Sequence, residues 1–350
     1  MDRSQEMKRV DAYQLHQAMQ QTLLDNGVVE VAAIHVADSL TETSLRGVDS
    51  HGVNLFPHYV RAVKGGRIEK NPNLTYKVEN KAAAVMDADR AFGHHAGAIA
   101  MEKAMELAKE YGIGSVGVTN SSHFGAAGYF ALRAARDGFL SMAFTNADAL
   151  VKAHGSTDSF FGTNPICVCA PMIGEDPFCL DMATSQIPWN RVKNYRRWNQ
   201  KLEDDVAYDK DGIAVTDPHA AVSVKPVGGY KGFGLGMFVE LLCSTLIGGK
   251  LGADIPAMYG APMDMARNVG HFFVAYDIEA FTSKKVFEKS LSEMASRIRS
   301  LPRISSDDAI MIPGDPEKIS RVDREVSGIP MDENIAQEFI ESSDHFGFLA

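Results

Sequence analysis

Hydrophobic positions recur every three or four residues through the first seventy residues and again near the end of the chain. Between those regions they alternate, or gather into short apolar blocks. The first spacing marks helices with one buried face, and the second marks strands. Asp11 followed by Gln14 predicts a capped helix start, after which Leu15, Met19, Leu23 and Leu24 share a face until Asn26-Gly27 ends it. Further helices are predicted over about 29–45 and 53–65, the latter stopped by Gly65-Gly66. From Leu74 the pattern predicts strands at 76–78, 82–86, 113–118, 140–144, 167–170, 178–182 and 272–276. Helices are predicted at 95–109, 126–135, 231–246, 283–299 and 332–342, with a turn at Asp209-Lys210-Asp211-Gly212. The change of period near Leu74 and its reversal after Phe281 predict two units. One is a discontinuous helical domain of 1–74 with 283–350, and the other an α/β (α+β) body of 75–282.

A chain of 350 residues holds ample core for this arrangement, and 45% hydrophobic with 23% charged residues is the balance of a globular protein. The net charge of −10 excludes nucleic acid as a partner, because no basic stripe is present to neutralise phosphates. The first seventeen residues lack the apolar centre of a signal peptide, and no apolar run approaches the ~18 residues of a membrane span. A cytoplasmic location is expected. The four cysteines, Cys167, Cys169, Cys179 and Cys243, form no Cys-x-x-Cys pair and sit in apolar segments, which predicts buried free thiols and no metal. Cys167 and Cys169, two apart in a strand, face the same side.

Two histidine-centred runs carry the candidate chemistry. Arg46-Gly47-Val48-Asp49-Ser50-His51-Gly52 combines a guanidinium able to grip a carboxylate with a hydroxyl and an imidazole that exchanges protons near neutrality. Asn120-Ser121-Ser122-His123-Phe124-Gly125 places a second imidazole where a strand gives way to a helix. Leu180-Asp181-Met182-Ala183-Thr184-Ser185 puts a carboxylate and two hydroxyls at a strand end. Gly228-Gly229-Tyr230-Lys231-Gly232 opens an apolar helix as an anion site would. Gly112-Ile113-Gly114-Ser115-Val116-Gly117 satisfies the dinucleotide-binding spelling, but it leaves a helix and enters a strand, the reverse of what that motif requires. Gly112 is better read as a helix C-terminal residue.

The segments SLRGVDSHGVNLFPHYV, NSSHFGAAGYF, FGTNP, LDMATS and GGYKGFGLGMFVE, in this order, resemble the type-2 malate/L-lactate dehydrogenase family over roughly residues 10–315. That family also includes ureidoglycolate dehydrogenases, diketogulonate reductases and piperideine-carboxylate reductases. The resemblance implies a nicotinamide cofactor, NAD ahead of NADP, bound on a non-Rossmann body, and a homodimer whose pocket is completed across the two-fold axis. It also implies that Asp181, Met182 and Ala183 line the cofactor site, with Asp181 orienting a catalytic imidazole. Lys231 and Gly232 would meet the cofactor pyrophosphate or the substrate anion. Gly314 and Asp315 would meet the adenosine, although Asp315 stands where the family more often has Glu.

The activity expected is NAD(P)-dependent interconversion of a small anionic 2-hydroxy acid and its 2-oxo acid. Arg46 would anchor the carboxylate, Ser50 would hydrogen-bond the reacting oxygen, and His51 or His123 would move its proton. Ureidoglycolate or sugar-acid oxidation and reduction of a cyclic imine carboxylate are the alternatives. A metal-dependent hydrolase or lyase is a distant one, since no HxH, HxxxH or HExxH spacing exists to hold an ion.

Overall fold

The structure is a computed structural model and describes residues 7–307 and 309–350. The chain opens with β1 (Lys8–Val10), α1 (Ala12–Asp25), α2 (Glu30–Leu45) and α3 (Phe56–Lys64). There follow β2 (Thr75–Asn80), β3 (Ala83–Asp87), α4 (Gly93–Tyr111), β4 (Ile113–Ser121), α5 (Ala127–Arg136) and β5 (Phe139–Thr145). The middle holds β6 (Val151–Lys152), β7 (Ser159–Phe161), β8 (Ile166–Ala170), β9 (Phe178–Met182), α6 (Trp189–Trp198), β10 (Ala207–Tyr208) and β11 (Ser223–Val224). The last elements are α7 (Tyr230–Cys243), β12 (Val269–Asp277), α8 (Lys284–Arg299), α9 (Asp315–Ser327), β13 (Ile329–Met331) and α10 (Glu333–Ser342).

Seven strands form the main sheet in the order β2-β3-β4-β12-β5-β8-β9. Only the β3–β4 pair is parallel, and every other neighbouring pair in that sheet is antiparallel. α4 and α5 cover one face, burying Ala96, Ala100, Ala104 and Phe130 against Val116, Val118 and Phe273. Alanines on α4 let the helix lie close to the sheet. Gly112 ends that helix with φ +84°, its N–H donating to the Ala108 carbonyl at 2.7 Å, and the strand starts at the next residue. The dinucleotide-like spelling is therefore a helix stop, as its context predicts.

A second core joins the two ends of the chain. Leu15, Met19, Val36, Leu40 and Phe56 pack with Ile329, Met331, Phe339 and Phe346, and β1 pairs with β13 from Lys8↔Met331 to Val10↔Ile329. The start of α1 is capped as predicted, Asp11 accepting the Gln14 amide at 2.7 Å. α8 departs from the expected grouping with the N-terminal helices. Its Ala295 packs with Met172 and Ile312, beside Phe178 at the sheet edge.

Sequence patterning misses β1, β13, α6, α9 and a small four-stranded sheet of order β10-β11-β6-β7. α9 leaves its short apolar stripe of Ile319, Val322 and Val326 exposed, and α6 fully buries only Val192 of Trp189, Val192 and Tyr195, so in both the stripe is faint among many charges. The helix expected to reach Leu246 stops at Cys243, and a 3₁₀ turn follows at Thr245–Ile247. The window Tyr230–Ile247 averages a hydropathy of 1.2 over 18 residues, which corrects the expectation that no run is so apolar. Its continuous helix has 14 residues, about 21 Å, short of a ~30 Å hydrocarbon layer.

Candidate active site

A cleft of about 760 Å³ opens between the helices of the terminal core and the β8–β9 edge of the sheet. It brings together Arg46, Ser50, His51, His123, Asp181, Met182, Ala183 and Gly314, residues drawn from four separate stretches of the sequence. Lys231, Gly232 and Asp315 do not line it.

Arg46 is the C-cap of α2 and is 5% exposed. Its Nη1 donates to Asp176 Oδ2 at 2.7 Å, while Nη2 is buried with no partner. The expected carboxylate grip is thus half engaged within the chain. Burial pushes the Asp176 carboxyl up, but Arg136, Arg46 and Arg321 outweigh it and hold it below the ordinary value. The ion pair fixes the guanidinium's orientation and leaves one face for an anion.

The two candidate imidazoles stack, with ring centroids 5.7 Å apart and planes inclined by 21°. Ser50 Oγ meets His51 Nδ1 at 2.9 Å, so this hydroxyl holds a ring as well as facing the cleft. Asn190, in α6, donates to the Ser50 carbonyl at 2.8 Å and steadies the loop. His123 Nδ1 meets the Tyr59 hydroxyl at 2.7 Å, and Nε2 takes no hydrogen bond from a described residue. Burial lowers His51 to about 4 and His123 well below its ordinary value, His123 with added repulsion from His51 and Arg267. Both rings are therefore neutral at pH 7, and one nitrogen of each can hold a lone pair.

Asp181 corrects an expectation. Its Oδ2 accepts the Gly128 amide at 2.7 Å, at the N-terminus of α5, and it bonds to neither histidine among the described residues. Surrounding protein, with Cys179 beside it, raises its carboxyl to about 7, an effect moderated by the water of the open cleft onto which it faces. Asp315 likewise turns away from the cleft. Its carboxylate holds Arg299 (Nε to Oδ2, 2.9 Å) and accepts the Ile312 amide at 3.1 Å. That bond shapes the turn in which Gly314, φ +97°, caps α9. Lys231 is exposed in the first turn of α7, outside the cleft of its own chain.

Sequence reasoning misses Tyr59, which is 1% exposed and lies within one of the motif segments without any spacing that signals its task. It also misses Cys179 and Glu317 of the cleft wall. Tyr59→Phe is expected to lower turnover about 10-fold, the worth of one hydrogen bond (~1.4 kcal/mol), and to shift the acidic limb of the pH–rate profile while the melting temperature holds. An unchanged pH profile would leave the hydroxyl a structural role only.

Comparison with known proteins gives the class of protein to which this cleft belongs, an oxidoreductase of the dehydrogenase type. The family model described as malate/L-lactate dehydrogenase matches residues 10–339, and the chain belongs to that family. It is 34% identical over 349 residues to a malate dehydrogenase of Pyrococcus abyssi, covering 97% of this chain and 95% of that one. To a ureidoglycolate dehydrogenase (NAD(+)) of Escherichia coli strain K12 it is 30% identical, covering 94% of each. The crystal structure of malate dehydrogenase from Entamoeba histolytica superposes with a TM-score of 0.92 at 30% identity, over 97% of this chain and 98% of that one.

Proposed function

We propose that the chain uses a nicotinamide cofactor to interconvert a small 2-hydroxy acid and its 2-oxo acid. The observation that carries this reading is the unpartnered Nη2 of Arg46, buried in the same cleft as the stacked His51 and His123. An orphaned cationic donor is satisfied by an anion, and a carboxylate beside the two rings raises their proton affinity toward neutrality. The names of the relatives, malate and ureidoglycolate dehydrogenase, support the substrate class.

The residues present fit a dinucleotide. The N-termini of α5 and α9 both face the cleft, and the backbone amides of Ala127 at the first and of Gly314 and Glu317 at the second suit phosphate oxygens, whereas Pro316 has no N–H and that of Gly128 is given to Asp181. Met182 and Ala183 form wall between them. The carboxylate of Glu317 in the lining favours NAD over NADP, since a 2′-phosphate would meet like charge, while that of Glu42 is neutralised by Arg136 and Arg321. With a single parallel pair in the main sheet, the cofactor is held outside a Rossmann motif. When bound it supplies the hydride acceptor and donor. Arg46 Nη2 takes the substrate carboxylate, His123 Nε2 takes the hydroxyl proton and returns it in reduction, and Ser50 bonds the same oxygen. Absorbance at 340 nm with a panel of 2-hydroxy acids, 2-oxo acids and cyclic imine carboxylates and both cofactors tests this. Silence throughout the panel would overturn it, and turnover of imines alone would replace it with the reductase.

The exposed side of α7 supports a homodimer. Tyr230, Leu235, Met237, Phe238 and Leu241 all stand in solvent on one chain, an apolar patch that a second copy would cover. Lys231, at the head of that helix, is then carried to the interface. Phe238→Glu with Leu241→Glu is expected to give monomers by light scattering, and a wild-type monomer at micromolar concentration would refute the dimer. The core shared by both chain ends supports the discontinuous helical domain, and four free thiols suit a reducing cytoplasm.

A further inference from the structure

Three of the four cysteines meet under the floor of the cleft. Cys167 and Cys169 lie on one face of β8, their Sγ atoms 3.8 Å apart. Cys179 lies on β9 directly opposite Cys169, and all three sulfurs fall within 4.8 Å of one another. Asp181, opposite Cys167 in the same ladder, completes a block of four donors on two adjacent strands. No Cys-x-x-Cys spacing announces this group, because two members are two apart on a strand and the third comes across the ladder.

The geometry suits a soft cation. In tetrahedral thiolate coordination a metal–sulfur bond of ~2.3 Å puts neighbouring sulfurs ~3.8 Å apart, the spacing that Cys167 and Cys169 already have. Entry is from the cleft, whose wall includes Cys179 and Asp181. Charge is provided for as well. Three thiolates around a divalent ion leave one net negative charge, and this would sit at the positive end of α5. A Cβ placed on Gly128 in the first turn of that helix would lie 3.5 Å from Cys179 Sγ. Binding an ion as thiolates strips the three thiols of their protons. Ion uptake would release those protons.

We propose that Cys167, Cys169 and Cys179 form a binding site for one thiophilic divalent cation of the zinc class. Asp181 or water takes the fourth position, and occupancy closes the cleft floor to its ligand. The anionic ion–thiolate group would lie beside Gly128 and Gly314, at the helix ends assigned above to cofactor phosphates, and like charge there weakens their binding, so the site is inhibitory. Binding of the ion itself does not rest on the dehydrogenase reading.

Titration of the reduced, metal-free protein with cadmium, followed by the ultraviolet thiolate-to-metal charge-transfer band, tests the site without cofactor or substrate. The expected result is one equivalent bound with at least two protons released per ion, read with a pH indicator in weak buffer. Cys167→Ala, Cys169→Ala and Cys179→Ala should each abolish the full band, while Cys243→Ala, on the far side of the sheet, keeps it. Circular dichroism would check that each variant folds. If a core variant fails to fold, the stoichiometry and proton release of the wild-type protein still decide, and the absence of a charge-transfer band saturating at one equivalent would overturn the site. A band that survives in all three variants would also overturn it. A separate fluorescence titration with reduced nicotinamide cofactor is expected to show weaker binding after one equivalent of zinc. Unchanged affinity would overturn the inhibitory role but leave the ion site standing.

Discussion

His123→Asn is expected to lower turnover by about 10²–10⁴-fold while cofactor affinity stays at the wild-type level. The ring is anchored through Nδ1 by a buried hydroxyl from α3, and its Nε2 is left for the reacting oxygen. In the tautomer whose Nδ1–H donates to Tyr59, giving up the long 3.4 Å approach of the Gly125 amide to that nitrogen, Nε2 carries the lone pair that takes the substrate's proton. His51 is held by its own neighbour Ser50, on a loop, and its replacement is expected to raise KM more than it lowers kcat. The pH profile separates the two roles. A protonated imidazole cannot accept a proton, so oxidation slows as pH falls through the base's pKa. The variant lacking the true base loses that acidic limb. Wild-type turnover and an unchanged limb in both variants would remove the histidines from the chemistry.

Acidification from pH 7 to pH 5 is expected to cost about 4 kcal/mol of folding stability through His94 and His271 alone. Both are fully buried, and burial lowers each to about 3, from an ordinary 6.5. Neither His94 nitrogen has a hydrogen-bond partner, whereas His271 is held by Thr145 and Ser121 at 2.8 Å each. The unfolded chain takes up both protons near pH 6.5 and the folded chain only near 3, so stability rises with pH across that window. Each ring contributes about 1.4 kcal/mol per pH unit once the unfolded form is protonated. His58, lowered to about 3, adds in the same direction. The lowered carboxyls of Glu175 and Asp176 contribute only at more acid pH, below about 4.5. Asp181 and Glu240, both raised, run the other way, Asp181 weakly because cleft water reaches it. Urea midpoints at pH 7 and pH 5 measure the sum, and equal midpoints would refute it. His94→Phe should flatten the slope by close to one proton.

The elements legible in the sequence are those whose burial is one-sided or complete. The main-sheet strands and α1 to α5 follow from apolar spacing, and Asp11 and Gly112 act as the caps their types predict. α9 is hard to read because its apolar stripe, Ile319, Val322 and Val326, is short and set among charges, and β1 because a three-residue strand paired with residues far along the chain leaves no local period. The candidate site was legible in its residue types: Arg46, Ser50, His51, His123 and Asp181 do converge. Their bonding was not, since Asp176, which holds Arg46, is 130 positions away, and Tyr59 touches His123 across 64. Pairings at that separation are set by topology, which no periodicity encodes. Asp181 shows the limit well. An acid at a strand end can serve an imidazole or a helix N-terminus, and only the placement of α5 decides.

The pairing of β1 with β13 sets an order on how this protein can be made. Residues 8–10 leave the ribosome and wait through more than three hundred further residues for Ile329–Met331 before either has a partner. Closing a loop of that span is slow, and contacts of such separation form late. Until then α1 and α2 expose Leu15, Met19, Val36 and Leu40, which the C-terminal Phe339 and Phe346 help to cover. The nascent chain therefore carries a bare apolar surface through most of its synthesis, a surface on which holding chaperones act. Ribosome-bound chains cut short before residue 329 should keep their first two helices open to protease, while the α/β body behind them is already closed.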